Sequence, residues 1–340
     1  MTQKQHSHRE RLEVCLSGQV PDRTPVALWR HFPVDDQTPD GLAAATAFFQ
    51  RAHDFDLIKV TPSSSFCIKD WGVADVWRGN PEGTRDYTRR AVQQPEDWAR
   101  LKPLDPTQGH LGDQLACLRL LTAEFSGEVP LLQTIFSPMA QAKNLVGPEA
   151  LLVMMRRSPD ALHEGLRRIT DTTLRFLEEA IKTGIDGIFY AVQQGQYGLL
   201  SIPEFDAFCR AYDLQILEAA KGLWLNLLHL HGSAVMFDQV LDYPAAVINW
   251  HDRETWPSLA EAQALNKAQG SFQGVVCGGL RQWDTMVLGT PAQVRSEALD
   301  AIQQTGGKRF ILGTGCVLPT TAPYGNIRAA RAVVERGAQA

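Results

Sequence analysis

A chain of 340 residues with 44% hydrophobic content can bury a large core, and its length exceeds the usual single-domain size unless the architecture is a barrel. The net charge of -5 shows no basic excess for a nucleic-acid backbone or an anionic membrane, so neither is expected as a partner. The polar start, with no apolar signal core, the absence of any apolar run of about 18 residues and six cysteines without CxxC spacing predict a cytoplasmic protein with reduced thiols.

In chain order, short apolar or β-branched runs predict strands at Thr24–Trp29, Asp56–Thr61, Leu131–Phe136, Gly187–Val192, Trp224–Leu230, Ala246–Trp250, Gln273–Cys277 and Arg309–Leu312. Between them, helical periodicity marks Leu42–His53, Pro159–Thr183, Ile202–Lys221, Ser258–Ala268 and Pro291–Thr305. Alternation of strand and helix predicts a parallel α/β sheet, and eight repeats favour a single (β/α)8 TIM barrel. An open doubly wound sheet is the alternative, although no GxGxxG follows the first predicted strand. The stretch 71–92 breaks the rhythm. Its turn signal Gly79-Asn80-Pro81-Glu82-Gly83 predicts a β-hairpin inserted after the second strand, placed to act as a lid or a dimer contact. No linker divides the chain, so residues 1–340 are expected to form one domain.

In a barrel, side chains at the C-terminal strand ends converge on one mouth. His229 and His231 are two apart in a strand and therefore point to one side. With Cys316, in the Gly-rich turn after the eighth predicted strand, they suit Zn(2+) with a fourth position open; the alternatives are a hydrogen-bonded histidine pair and a buried thiol. Arg30 and His31 follow the first strand as a carboxylate clamp or a structural pair. Ser63, within Ser63-Ser64-Ser65, is a candidate anion contact, and Tyr190 and Gln193 are candidate substrate contacts from the fourth strand. His251 reads as an acid, base or extra ligand and Asp252 as its catalytic neighbour; the alternative is a loop in which Asp252 caps the following helix.

Arg9-Glu10-Arg11 leading to Pro21-Asp22-Arg23-Thr24-Pro25-Val26, then Pro95-Glu96-Asp97-Trp98 and Leu101-Lys102-Pro103-Leu104-Asp105-Pro106, form the first part of a wider pattern. The second is Gly313-Thr314-Gly315-Cys316-Val317-Leu318-Pro319 with Ala322-Pro323-Tyr324-Gly325-Asn326-Ile327-Arg328. Over nearly its whole length the chain thereby resembles the uroporphyrinogen decarboxylase (URO-D) superfamily, which includes the haem-pathway decarboxylases and the zinc-dependent, corrinoid-linked methyltransferases. The resemblance implies a (β/α)8 barrel, commonly a homodimer, with its site at the C-terminal mouth. Against the decarboxylase pattern, Arg30 matches the first of two arginines, Val34 stands at the second, and Lys59-Val60-Thr61-Pro62-Ser63 lacks the aspartate that grips pyrrole NH groups.

Against the methyltransferase pattern, His229 and Cys316 match the outer zinc ligands, and His231 replaces the middle cysteine. The expected activity is therefore zinc-dependent methyl transfer involving a thiol or corrinoid carrier. The chain has no DxHxxG motif, so any cobalamin would arrive on a partner corrinoid protein. The alternatives are decarboxylation of a porphyrinogen or smaller acid with Arg30 as clamp, and a non-catalytic tetrapyrrole or corrinoid-protein binder.

Overall fold

The computed structural model describes residues 5–269 and 274–335, so Gln273 of the seventh predicted strand lies outside the described residues. Its centre is a parallel sheet of seven strands: Ile58–Val60 (β1), Leu131–Phe136 (β4), Gly187–Val192 (β5), Leu227–Leu230 (β6), Val247–Asn249 (β7), Val275–Leu280 (β8) and Phe310–Thr314 (β9), each paired with the next. Ala74–Val76 (β2) and Asp86–Arg89 (β3) pair antiparallel in a separate two-stranded sheet. The first predicted strand is not a ladder strand but an isolated parallel bridge between Val26 and Leu312. That short segment still joins both edges of the sheet: Ala27 N–H donates to Leu312 C=O, and Asp56 N–H donates to Val26 C=O at the entry to β1. Pro25 has no N–H to extend the ladder. The result is a curled, TIM-barrel-like α/β fold.

Helices cover the outer face, and β4, β5, β8 and β9 are buried along their whole length, as parallel strands covered on both faces should be. In chain order the helices are His8–Leu16 (α1), Pro39–His53 (α2), Gly109–Phe125 (α3), Pro138–Val146 (α4), Pro148–Arg157 (α5) and Pro159–Lys182 (α6). They continue with Ile202–Phe205 (α7), Ala211–Ala220 (α8), Leu259–Gln269 (α9), Pro291–Thr305 (α10) and Tyr324–Ala332 (α11). Four begin with the same local device: Thr38, Ser137, Ser201 and Thr290 accept a backbone N–H with their side chains, and proline occupies the first turn. The cap satisfies an otherwise unpaired donor, and proline forfeits nothing at that position. No described helix is long and apolar enough to cross a membrane.

Strand β6 starts later than the apolar run Trp224–Leu230 suggests. The Asn226 side chain accepts Ile188 N–H at 3.1 Å and donates to Ala220 C=O at 2.8 Å, taking a place that a backbone ladder group would otherwise fill. At the same end, Asp56 is fully buried and accepts hydrogen bonds from His8, Arg11, Arg23 and the Val26 amide. Burial works against its ionisation, but His8, Arg23 and Arg11 outweigh it and hold the carboxyl near 2. This network ties α1 and the Arg23 loop to the sheet, leaving the opposite, C-terminal mouth for a site.

Candidate metal centre and cavity

Parity along each strand decides what reaches the mouth. Lys59 and Thr61, Thr134 and Phe136, Phe189 and Ala191, and His229 and His231 line one cavity of about 260 Å³, together with Trp29, His31, Gln193 and Cys316. His229, His231 and Cys316 form a group of potential metal ligands whose donor atoms lie within 4.8 Å of one another. Cys316 Sγ is 3.6 Å from His229 Nε2 and 3.4 Å from His231 Nδ1. Adjacent nitrogen and sulfur donors around tetrahedral zinc, with bonds near 2.0 and 2.3 Å, stand about 3.6 Å apart. The donor types and the two sulfur–nitrogen spacings therefore fit zinc.

Asn249, at the end of β7, orients this group. Its amide nitrogen donates to Cys277 C=O at 2.9 Å and Thr314 C=O at 3.0 Å, which leaves its oxygen facing His229 Nδ1 at 2.7 Å. An amide oxygen only accepts, so His229 carries its proton on Nδ1 and turns the Nε2 lone pair toward Cys316. Burial, then the charges of His231 and His251, push the His229 pKa well below its ordinary value. His231 falls to about 4, chiefly by burial, so both imidazoles are neutral at pH 7 and available as ligands. Burial pushes the Cys316 thiol up to about 12.

The other expected residues divide. His31 and Gln193 line the cavity. Burial, followed by the charges of Lys59 and Arg85, lowers His31 to about 3, and Gln193 Oε1 accepts from Lys143 Nζ at 2.6 Å. His251 stands at the edge, its ring 5.3 Å from that of His231 and its Nδ1 3.4 Å from Glu254. Its buried Nε2 has no hydrogen-bond partner.

Four expectations require correction. Tyr190 points outward, because it alternates with Phe189 and Ala191, and its hydroxyl donates to Asp213 on α8 at 2.6 Å. Ser63 turns away toward Ser65 Oγ at 3.3 Å, and its neighbour Ser64 lines the cavity instead. The Arg30 guanidinium stays outside the cavity, donating to the His31 and Thr320 carbonyls and lying 5.5 Å above the Phe32 ring. Asp252 accepts Gly279 N–H at 3.0 Å and neither lines the cavity nor caps the next helix. Ser258 caps α9, exchanging hydrogen bonds with Glu261.

Lys59, Lys143 and Glu82 were not anticipated as site residues. Lys59 Nζ donates to Thr61 Oγ1 at 3.1 Å and lies 4.4 Å over the Phe189 ring. Burial lowers Lys59 to about 7 and Lys143 to about 8. Glu82, at the turn between β2 and β3, accepts from Trp283 Nε1 at 2.9 Å and Gln282 Nε2 at 3.2 Å, which pins that turn across the mouth. Lys59 was detectable from strand parity, since it shares a face with Thr61. No local pattern marks Glu82, whose partners are some 200 residues away.

A family model described as uroporphyrinogen decarboxylase (URO-D) matches residues 7–337. The uroporphyrinogen decarboxylase of Mycobacterium sp. (strain KMS) is 27% identical over 248 residues, covering 68% of this chain and 67% of its own length. The methylcobamide:CoM methyltransferase of Methanosarcina mazei is 19% identical over 343 residues, covering 95% and 96% respectively. A solved methyltransferase from Methanosarcina mazei matches the fold with a TM-score of 0.83 at 15% identity, over 97% of this chain and 98% of that one. The B12-independent methionine synthase from Shewanella sp. W3-18-1 matches at 0.59 and 13% identity, over 93% and 92%. At these identities the two structural likenesses are likenesses of fold.

Proposed function

Because the chain belongs to the uroporphyrinogen decarboxylase family, we propose a reaction within that family's range: methyl transfer at a zinc centre held by His229, His231 and Cys316. The observation that supports this reading is the spacing of the three donor atoms, 3.6 and 3.4 Å from Cys316 Sγ to the two imidazole nitrogens. Zinc held there would supply a Lewis acid that lowers the pKa of a substrate thiol.

The chain's own residues supply orientation, shielding and proton handling. Asn249 holds His229 in the ligating tautomer. Trp29 and Phe189 pack edge to face at 5.3 Å and wall one side of the cavity against water. His31 and Gln193 contact the substrate, and His251 receives its proton at Nε2 while Glu254 faces the opposite ring nitrogen. The relative named as a methylcobamide:CoM methyltransferase aligns with nearly the whole chain, which favours a methyl donor carried on a separate corrinoid protein. A porphyrinogen decarboxylase reading is weaker. The arginine that reading needs as a carboxylate clamp, Arg30, lies outside the cavity.

Metal analysis of untagged protein tests the proposal. About one zinc per chain is expected in the wild type, with loss in both Cys316→Ser and His231→Ala while the fold is retained. Wild-type protein that takes up no metal would overturn it.

A further inference from the structure

Lys59 stands on β1 and opens on the cavity with only 6% of its surface exposed. Its amine donates to the Thr61 hydroxyl at 3.1 Å and has no carboxylate within ion-pair distance among the described residues. The charged groups that share the cavity are engaged elsewhere. Asp36 and Asp75 pair with Arg85, while Trp283 and Gln282 donate to Glu82. Burial lowers Lys59 to about 7, so near neutral pH a large share of its amine carries a free lone pair. A lysine desolvated in this way is a nucleophile toward carbonyl carbon.

We infer that Lys59 forms a covalent imine with a small aldehyde or ketone that enters the barrel mouth. The amine lone pair makes a C–N bond to the carbonyl carbon, and the C=O π pair moves to oxygen. One N–H proton passes to that oxygen, and departure of the resulting hydroxyl with the second N–H proton releases water and leaves the imine. The step needs no oxidant or reductant. Thr61 suits the proton transfer, because a hydroxyl both accepts and donates and this one already touches the amine. Lys143, the other cavity amine, is less suited: it is only half-buried, and it donates at 2.6 Å to the Gln193 amide oxygen, which accepts but has no proton to return. Pairing of β1 with β4 holds the Lys59 backbone, and the Phe189 ring, 4.4 Å from Nζ, covers one side of the amine. The assignment goes beyond the proposed metal centre and uses none of its residues.

Cyanoborohydride trapping at pH 7, with hydroxyacetone and acetone as probes, tests it. Wild type, Lys59→Met, Lys59→Arg and Lys143→Met are treated after melting curves confirm folding, and peptide mass mapping locates each reduced adduct. Wild type and Lys143→Met should carry an adduct on Lys59 that forms at least about tenfold faster than on the exposed Lys102, Lys182 and Lys221. Both Lys59 variants should lose it, the arginine showing that positive charge alone does not supply it. Unfolding in guanidinium should erase the preference for Lys59. Labelling of Lys59 no faster than of the exposed lysines overturns the inference. So does a principal adduct on Lys143, or a preference that survives unfolding.

Discussion

Asn249 Oδ1 accepts the Nδ1 proton of His229 at 2.7 Å, while the Asn249 amide nitrogen is anchored on the carbonyls of Cys277 and Thr314. The asparagine thus links three neighbouring strand ends to the orientation of one candidate ligand. Replacing it with leucine keeps the size and removes both functions. Asn249→Leu should lower zinc affinity by about 10- to 100-fold, read by competition with a chromophoric chelator. Unchanged affinity in a folded variant would remove Asn249 from the site.

Metal uptake should release a proton. His229 and His231 are neutral at pH 7, but burial keeps the Cys316 thiol protonated, with its pKa pushed up to about 12. Binding through sulfur must displace that proton. Apparent zinc affinity should therefore rise about tenfold per pH unit between roughly pH 6 and 9, with about one proton released per zinc in weakly buffered solution. A flat profile would show that Cys316 is not a ligand.

The Tyr190–Asp213 pair yields a stability prediction away from the cavity. Burial raises the Asp213 carboxyl to about 7, although hydrogen bonds from Tyr190 and Tyr243 oppose the rise. Between about pH 4 and 7 the native state keeps this proton and the unfolded state has lost it, so stability falls as pH rises, by up to roughly 1.4 kcal/mol per pH unit. Asp213→Asn should flatten that slope in denaturant titrations across the window. An identical slope in the variant would show that the carboxyl ionises normally.

Gly83 tests how the β2–β3 turn is seated over the mouth. Its φ is +77°, and an added Cβ would meet His31 Cβ at 2.3 Å. Gly83→Ala combines left-handed backbone strain with a clash that His31 has no flexible end to relieve. It should cost about 1–3 kcal/mol in chemical denaturation. A loss well under 0.5 kcal/mol, within the usual range for surface changes, would mean that the turn moves aside freely.

Elements governed by neighbours a few residues away were legible in the sequence. The helical periodicity of Leu42–His53 and Pro291–Thr305 marked α2 and α10, whose Thr38 and Thr290 caps are local hydrogen-bonding devices, whereas the helix after Ser137 was not among the predicted elements. The apolar runs of β4 and β5 needed only strand periodicity. Nominating His229, His231 and Cys316 together required only their places at strand ends, although 85 and 87 residues separate the cysteine from the histidines. The tertiary structure decided which ring nitrogens face the sulfur, because that depends on Asn249 and on two carbonyls from other strands. It also turned Tyr190 outward to Asp213 and Lys59 inward to Phe189. Side-chain parity is a local rule, but its phase is set by which face of each strand the curled sheet encloses, and only the folded chain supplies that choice.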